Sequence, residues 1–194
     1  MIKIAITGGI ACGKTLLGTI WEGMGVAVCD ADGVAHALMS KEGAACGPVA
    51  ACFGPQVLGP DGGIDRLKLG ALVFADADAR GRLDRIVHPL VMAEVSRWLA
   101  GQTGPVAAVL APLLYEAGLD QGWDAVVCVA ASRETQIRRL QARGMTAADA
   151  ELRLAAQWPV AQKMERADYV VVNNGSLEVL REQAERVLNN IRER

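Results

Sequence analysis

Histidine and paired cysteine are scarce in this chain, and each scarcity narrows what it does. There are only two histidines, and the five cysteines (Cys12, Cys29, Cys46, Cys52, Cys128) contain no Cys-x-x-Cys pair. That pattern argues against a zinc centre or a disulfide framework, and an odd count without a signal peptide points to reduced thiols in a cytoplasm. The opening apolar run Met1 to Ile6 is too short for a signal peptide and is broken by Lys3. No stretch approaches the ~18 uninterrupted apolar residues of a membrane span; the best, Val106 to Tyr115, is interrupted by Pro112. The net charge is −2, so no basic footprint for nucleic acid is present. Neither a membrane nor a nucleic acid is expected as a partner.

What is abundant is aliphatic. Apolar residues make up 52% of the 194 positions and charged residues 22%, which suits one globular domain with a sizeable core. Short apolar runs at 2–6, 26–29, 105–111, 125–130 and 169–173 read as strands. Helical patterns lie between them at 14–24, 132–143, 147–157 and 176–192. Thr146 and Asp149 have capping-box spacing. Strands alternating with helices predict an α/β protein with a parallel sheet covered on both faces. From Ala31 to Gly104 no strand is evident, only helical segments at 33–39, 43–53, 66–75 and 78–101 with Pro89 at a join, so a helical insertion is expected there.

The first strand runs into TGGIACGKT (7–15). Gly8-x-x-x-x-Gly13-Lys14-Thr15, with a strand before it and a helix after it, matches a phosphate-binding loop. Glycines let backbone curl around an anion, and the freed amides make a nest that the next helix reinforces with its positive end. In that geometry Lys14 reaches the β- and γ-phosphates of a nucleoside triphosphate, and Thr15 offers its hydroxyl to Mg²⁺. Cys12 beside the helix start is either a small loop residue or a thiol of lowered pKa.

Asp30 and Asp32 follow the second strand in CDAD (29–32), at the sheet edge where ligands bind in open α/β folds. Read as extended backbone, the i, i+2 pair points to one side, suited to an attacking hydroxyl and a metal; either residue is equally a helix cap. The third strand carries no terminal Asp, so Asp30 or Glu116 is the candidate outer-shell acid for the metal. Asp30-Ala31-Asp32-Gly33 formally reads DxxG, yet no Asn precedes a Lys anywhere, which argues against a guanine-reading switch. Arg139 and Arg143 stand four apart on a predicted helix, placed to close over a transferring phosphoryl. Lys163 and Arg153 are weaker candidates for the same task. Asn173-Asn174-Gly175 ends the fifth strand and either passes under an adenine or simply enters the last helix.

Seven segments in order, TGGIACGKT, VCDAD, HPLV (88–91), APLLYEAGL (111–119), TQIRRLQAR (135–143), LAAQWPVAQK (154–163) and ADYVVVNNG (167–175), resemble the dephospho-CoA kinase family. The resemblance implies a P-loop kinase-type parallel five-stranded sheet with helices on both faces. It also implies a core of about 1–30 and 105–194, a helical acceptor-binding insertion of about 31–104 and a helical lid of about 138–160. It further implies transfer of the γ-phosphoryl of ATP, with Mg²⁺, to the ribose 3′-hydroxyl of dephospho-CoA, the last step of coenzyme A synthesis; separately, a monomer or weak homo-oligomer is expected. Carried onto this chain, Gly8, Gly9, Ala11, Cys12, Gly13, Lys14, Thr15 and Leu16 hold the ATP phosphates. Asp32 serves as base or orienter, Arg139 as the lid arginine, and Asn174 and Gly175 as the adenine-side loop. His88, Pro89, Leu90, Pro112, Leu113, Leu114 and Glu116 fall on the acceptor side. Ala11-Cys12 departs from the family's glycine-serine; a negative φ at Ala11 costs little, whereas a positive one is expected to weaken nucleotide affinity. The alternatives are a shikimate-kinase-like enzyme and an ATP-dependent switch acting on a protein partner.

Overall fold

The computed structural model covers residues 1–194 and describes all of them except the side chains of Phe74 and Ala75. The chain divides into two compact units, residues 1–30 with 102–194, and residues 31–101.

The first unit is built on a five-stranded sheet of β1 (Ile2–Gly8), β2 (Ala27–Asp30), β3 (Val106–Leu110), β4 (Ala125–Ala130) and β5 (Tyr169–Val172), in the order β2-β3-β1-β4-β5. Every pairing is parallel, as the alternation of strands and helices predicts. Successive side chains on a strand face opposite ways, so the two faces of β1 have separate cores. Ile4 and Ile6 pack with Leu17 and Trp21 of α1 (Lys14–Gly23) and with Leu180, Ala184 and Leu188 of α9 (Leu177–Arg192). Trp21 Nε1 donates to the Ala184 carbonyl at 3.0 Å, which satisfies the indole inside that layer. Ala5, on the other face, packs with Leu114, Tyr115 and Val126, against which Trp158 and Ala167 close. The remaining helices of this unit are α6 (Arg133–Gln141), α7 (Ala147–Ala155) and α8 (Val160–Arg166). Ser132, Thr146 and Ser176 cap α6, α7 and α9 through their hydroxyls, each worth about 1 kcal/mol. The predicted Thr146–Asp149 capping box is present. α8 has no counterpart in the sequence reading.

The second unit is helical, as expected: α2 (Ala31–Leu38), α3 (Cys46–Phe53), a short 3₁₀ turn (Pro55–Val57), α4 (Arg66–Ala75) and α5 (Ala77–Ala100). Asp65 and Asp76 cap α4 and α5. Pro89 does not join two helices; it lies inside α5. Proline removes one amide and crowds the carbonyl four residues back; Arg85 and Pro89 are both exposed. α2 also starts earlier than predicted, at Ala31, directly after Asp30.

Candidate active site

β1 and α1 are joined by the glycine loop. Gly8 has φ +138°, and a Cβ there would stand 2.1 Å from the Val129 carbonyl oxygen of β4, so glycine is required. Gly13 has φ +104° and caps α1. Between them Ala11 has φ +57°, the one non-glycine residue with positive φ among those described. The conformation costs on the order of 1 kcal/mol.

Side chains from three directions hold the outside of this loop. Gln136 of α6 donates to the Ile10 carbonyl at 2.7 Å, and Gln157, in the turn between α7 and α8, accepts from the Ile10 amide at 2.9 Å. Arg139 Nη1 donates to the carbonyls of Ala11 (3.1 Å) and Cys12 (3.3 Å), and its Nη2 to the Asn173 carbonyl (3.0 Å). Asn173 Nδ2 also reaches the Cys12 carbonyl, at 2.8 Å. A trans peptide points its carbonyl and the following amide in opposite directions. With the Ile10 and Cys12 carbonyls bound from outside, the amides of Ala11 and Gly13 turn to the inner side. Lys14 Nζ lies over the start of the loop, 3.0 Å from the Gly8 carbonyl and 2.8 Å from that of Gly9. α1 has no side-chain cap and no acid in its first turn, so its positive end is not neutralised locally. Inward amides, an ammonium and an open helix terminus are the chemistry of a polyphosphate cradle. Thr15 and Leu16 are exposed in the first turn of α1.

Several expectations need correction. Arg139 and Arg143 do not share a helix face, because α6 ends at Gln141 and the chain turns at Gly144, φ +88°. Arg139 grips loop backbone, and charged hydrogen bonds of this kind are worth about 1.5–3 kcal/mol each. Asp30 and Asp32 do not form an extended pair: Asp30 ends β2 and Asp32 is in the first turn of α2, where residues two apart point in different directions. The Cys12 thiol is not lowered. Burial pushes it up, outweighing Lys14. Lys163 is not on a solvent face; it is fully buried, 2.6 Å from Glu116 Oε1 and 2.8 Å from the Pro112 carbonyl. Glu116 Oε1 also accepts from the Trp158 amide at 3.0 Å. Ala11 takes the positive φ, +57°, under which the sequence reading expects weaker nucleotide affinity; Arg139 and packing against Leu140 and Ala150 hold the loop in that shape from outside.

The other residues singled out fall in both units. Pro112, Leu113 and Leu114 begin the turn after β3; Leu113 is exposed, while the Leu114 side chain is core and its backbone amide and carbonyl are bonded to Ala111 and Leu119. Asn174 Oδ1 accepts from the Ser132 amide at 2.8 Å, tying the segments after β5 and β4 together, and Gly175 follows. In the second unit Asp32 is on α2, and His88, Pro89 and Leu90 are on α5, the two helices packing together; His88 pairs with Asp84 at 3.5 Å. Sequence reasoning missed Gln136, Gln157 and the side chain of Asn173. Only the i, i+3 spacing of Gln136 and Arg139 hinted that one helix face supports the loop.

Mg²⁺ is held largely by water, substrate phosphates and one or two protein oxygens. Among the described residues no cluster of three or more His, Cys, Asp or Glu forms a cage, and the exposed Thr15 hydroxyl beside the cradle suits a cation shared with phosphates.

This sheet order, with a Gly-Lys-Thr cradle at the end of its central strand, defines a kinase-type P-loop phosphotransferase. A family model for dephospho-CoA kinase (CoaE) matches residues 2–178. A dephospho-CoA kinase of Anaeromyxobacter dehalogenans is 47% identical over 99% of this chain and 93% of its own length. The chain belongs to the dephospho-CoA kinase family. A crystal structure of a Thermus thermophilus protein superposes with TM-score 0.86 at 33% identity, covering 97% of this chain and 96% of that one. Shikimate kinase from Acinetobacter baumannii matches with TM-score 0.55 at 15% identity, over 100% of this chain and 94% of its own, a likeness of fold. Among the described residues no helix is long and apolar enough to cross a membrane.

Proposed function

We propose that the protein transfers the γ-phosphoryl of ATP to the ribose 3′-hydroxyl of dephospho-CoA, yielding coenzyme A and ADP in the cytoplasm. The observation that carries the reading is the cradle, in which the outward-bound carbonyls of Ile10 and Cys12 turn the Ala11 and Gly13 amides inward beneath Lys14. The backbone of Gly8, Gly9, Ala11, Cys12, Gly13, Lys14, Thr15 and Leu16 binds the triphosphate, and Lys14 neutralises charge that spreads onto the transferring group. Mg²⁺, held through Thr15 and phosphate oxygens, supplies further charge neutralisation when bound. Asp32 orients the acceptor hydroxyl and takes its proton late, because in a loose transition state the nucleophile is little deprotonated. Arg139 keeps the cradle in shape and adds positive charge beside it. Asn174 and Gly175 lie under the adenine. Acceptor binding is assigned to His88, Pro89 and Leu90 in the second unit, and to Pro112, Leu113, Leu114 and Glu116 in the first. Residues 138–160 act as a lid, and the enzyme works as a monomer or weak homo-oligomer.

A coupled ADP-release assay with separate acceptors tests this. Dephospho-CoA is expected to drive release, while shikimate and a no-acceptor control leave it at background. EDTA is expected to abolish turnover and Mg²⁺ to restore it. Equal release with and without dephospho-CoA would overturn the reading in favour of an ATP-hydrolysing switch.

A further inference from the structure

The sheet order sets β3 between β2, which ends in Asp30, and β1, which ends in the phosphate loop. Asp30 is in register with Leu110, and Leu110 with Ile6. The turn that leaves β3, residues 111–118, therefore lies on the ligand-binding edge of the sheet, between the donor loop and the strand that leads to Asp32. An acceptor whose hydroxyl is to meet the γ-phosphoryl has to be seated against this turn.

One buried group holds the turn. Lys163 of α8 has no exposed surface, so it touches no substrate. Its Nζ donates to the Pro112 carbonyl at 2.8 Å and pairs with Glu116 Oε1 at 2.6 Å, gripping the turn at two points four residues apart. The Thr7 hydroxyl, one residue before the phosphate loop, stands 3.5 Å from the same Pro112 carbonyl. The segment that leads into α8 touches both sides as well. The Trp158 amide donates to Glu116 Oε1, and the neighbouring Gln157 accepts from Ile10 of the loop. One short stretch, 157–163, thus spans the donor loop and the β3 turn and ends in a fully buried ammonium. For stability alone such a pair is a poor device, because a well-packed apolar pair of similar volume commonly does as well or better. What it supplies is a fixed position for two particular oxygens.

We infer that Lys163 is a positioning residue for the phosphoryl acceptor: acting through Pro112 and Glu116, it sets where the β3 turn stands relative to the phosphate loop. The inference rests on the proposed activity. It differs from a plain structural role in predicting a loss confined to one of the two substrates.

The test uses the full chain and the double substitution Lys163→Met with Glu116→Leu, which removes both charges together and so leaves no buried charge unpaired. Lys163→Arg is measured alongside; it keeps the ion pair but, being longer and planar, displaces the Pro112 carbonyl. Folding is checked by circular dichroism and a cooperative melt. The double variant is expected to lose at least tenfold in kcat/KM for dephospho-CoA, and Lys163→Arg three- to tenfold, with KM for ATP within threefold of wild type in both. A folded variant that keeps its dephospho-CoA kcat/KM within threefold overturns the inference. So do parallel losses on both substrates, or failure of both variants to fold, which would make the pair a stability element. Wild-type protein that ignores dephospho-CoA would overturn the proposed function and this inference with it; active wild type beside unaffected variants overturns the inference alone.

Discussion

Asn173 Nδ2 donates to the Cys12 carbonyl at 2.8 Å, and the same atom is the one a Cβ on Gly13 would strike, at 2.2 Å. The amide of Asn173 therefore occupies the space that glycine leaves open, and each residue requires the other. Gly13→Ala would force a left-handed alanine and displace a buried hydrogen bond, together about 2–5 kcal/mol. At about 2–4 °C per kcal/mol for a chain of this size, the melting temperature is expected to fall by at least ~4 °C, with nucleotide binding weakened. Differential scanning calorimetry with and without ATP reads both effects.

Lys14 Nζ donates to the loop carbonyls of Gly8 and Gly9. Lys14→Met is expected to keep the circular dichroism spectrum and to lower turnover on the order of 10²–10³-fold. Turnover within tenfold of wild type would reject its place on the phosphates.

Asp32→Asn keeps the shape of the side chain and removes its charge. We expect it to bind ATP as wild type does, by titration calorimetry, and to lose roughly 10²–10⁴-fold in kcat. Near-normal turnover would remove Asp32 from the acceptor hydroxyl.

Arg139 contacts three backbone carbonyls through a planar fork, which the single ammonium of lysine cannot reproduce. Arg139→Lys is expected to behave much like Arg139→Ala, each destabilised by about 2–4 kcal/mol and each with a raised KM for ATP. Full rescue by lysine would mean that charge alone is used, and not the three-point grip.

Alkali should unfold the protein through its buried thiols and phenol. Burial pushes Cys128 from 9.0 up to about 12, and Tyr115 from 10.0 up to about 12, while Cys12 and Cys29 are also raised by burial. A raised acid is held neutral by the fold, so its stabilising effect is complete below its ordinary value and is lost as pH climbs toward the folded value. Denaturant unfolding should give a flat stability between pH 7 and pH 8. Above pH 9 stability should decline by about 1.4 kcal/mol per pH unit for each group titrating. Cys128→Ala is expected to flatten that decline; an unchanged slope would clear Cys128 of responsibility.

Much of the first unit was legible in local pattern. Ile4, Ala5 and Ile6 are apolar on both faces because the strand is buried on both, and that reads as a continuous apolar run. The glycine loop was legible because its chemistry lies in eight consecutive residues. Its support was not. Gln136, Arg139, Gln157 and Asn173 reach the loop from 126 to 161 residues away, and no local period marks a side chain that bonds to distant backbone. Lys163 misled for a different reason: lysine is almost never fully buried unless paired, and its partner Glu116 lies far off in sequence. Pro89 misled because proline usually ends a helix, yet here it lies on an exposed face inside α5.

The left-handed bend at Ala11 reaches beyond the resting molecule. A glycine at that corner would wander among several shapes in an empty protein, and an arriving nucleotide would have to select one. An alanine pinned by a guanidinium has one shape to offer. If the loop receives the triphosphate as proposed, that backbone has its shape before the ligand arrives.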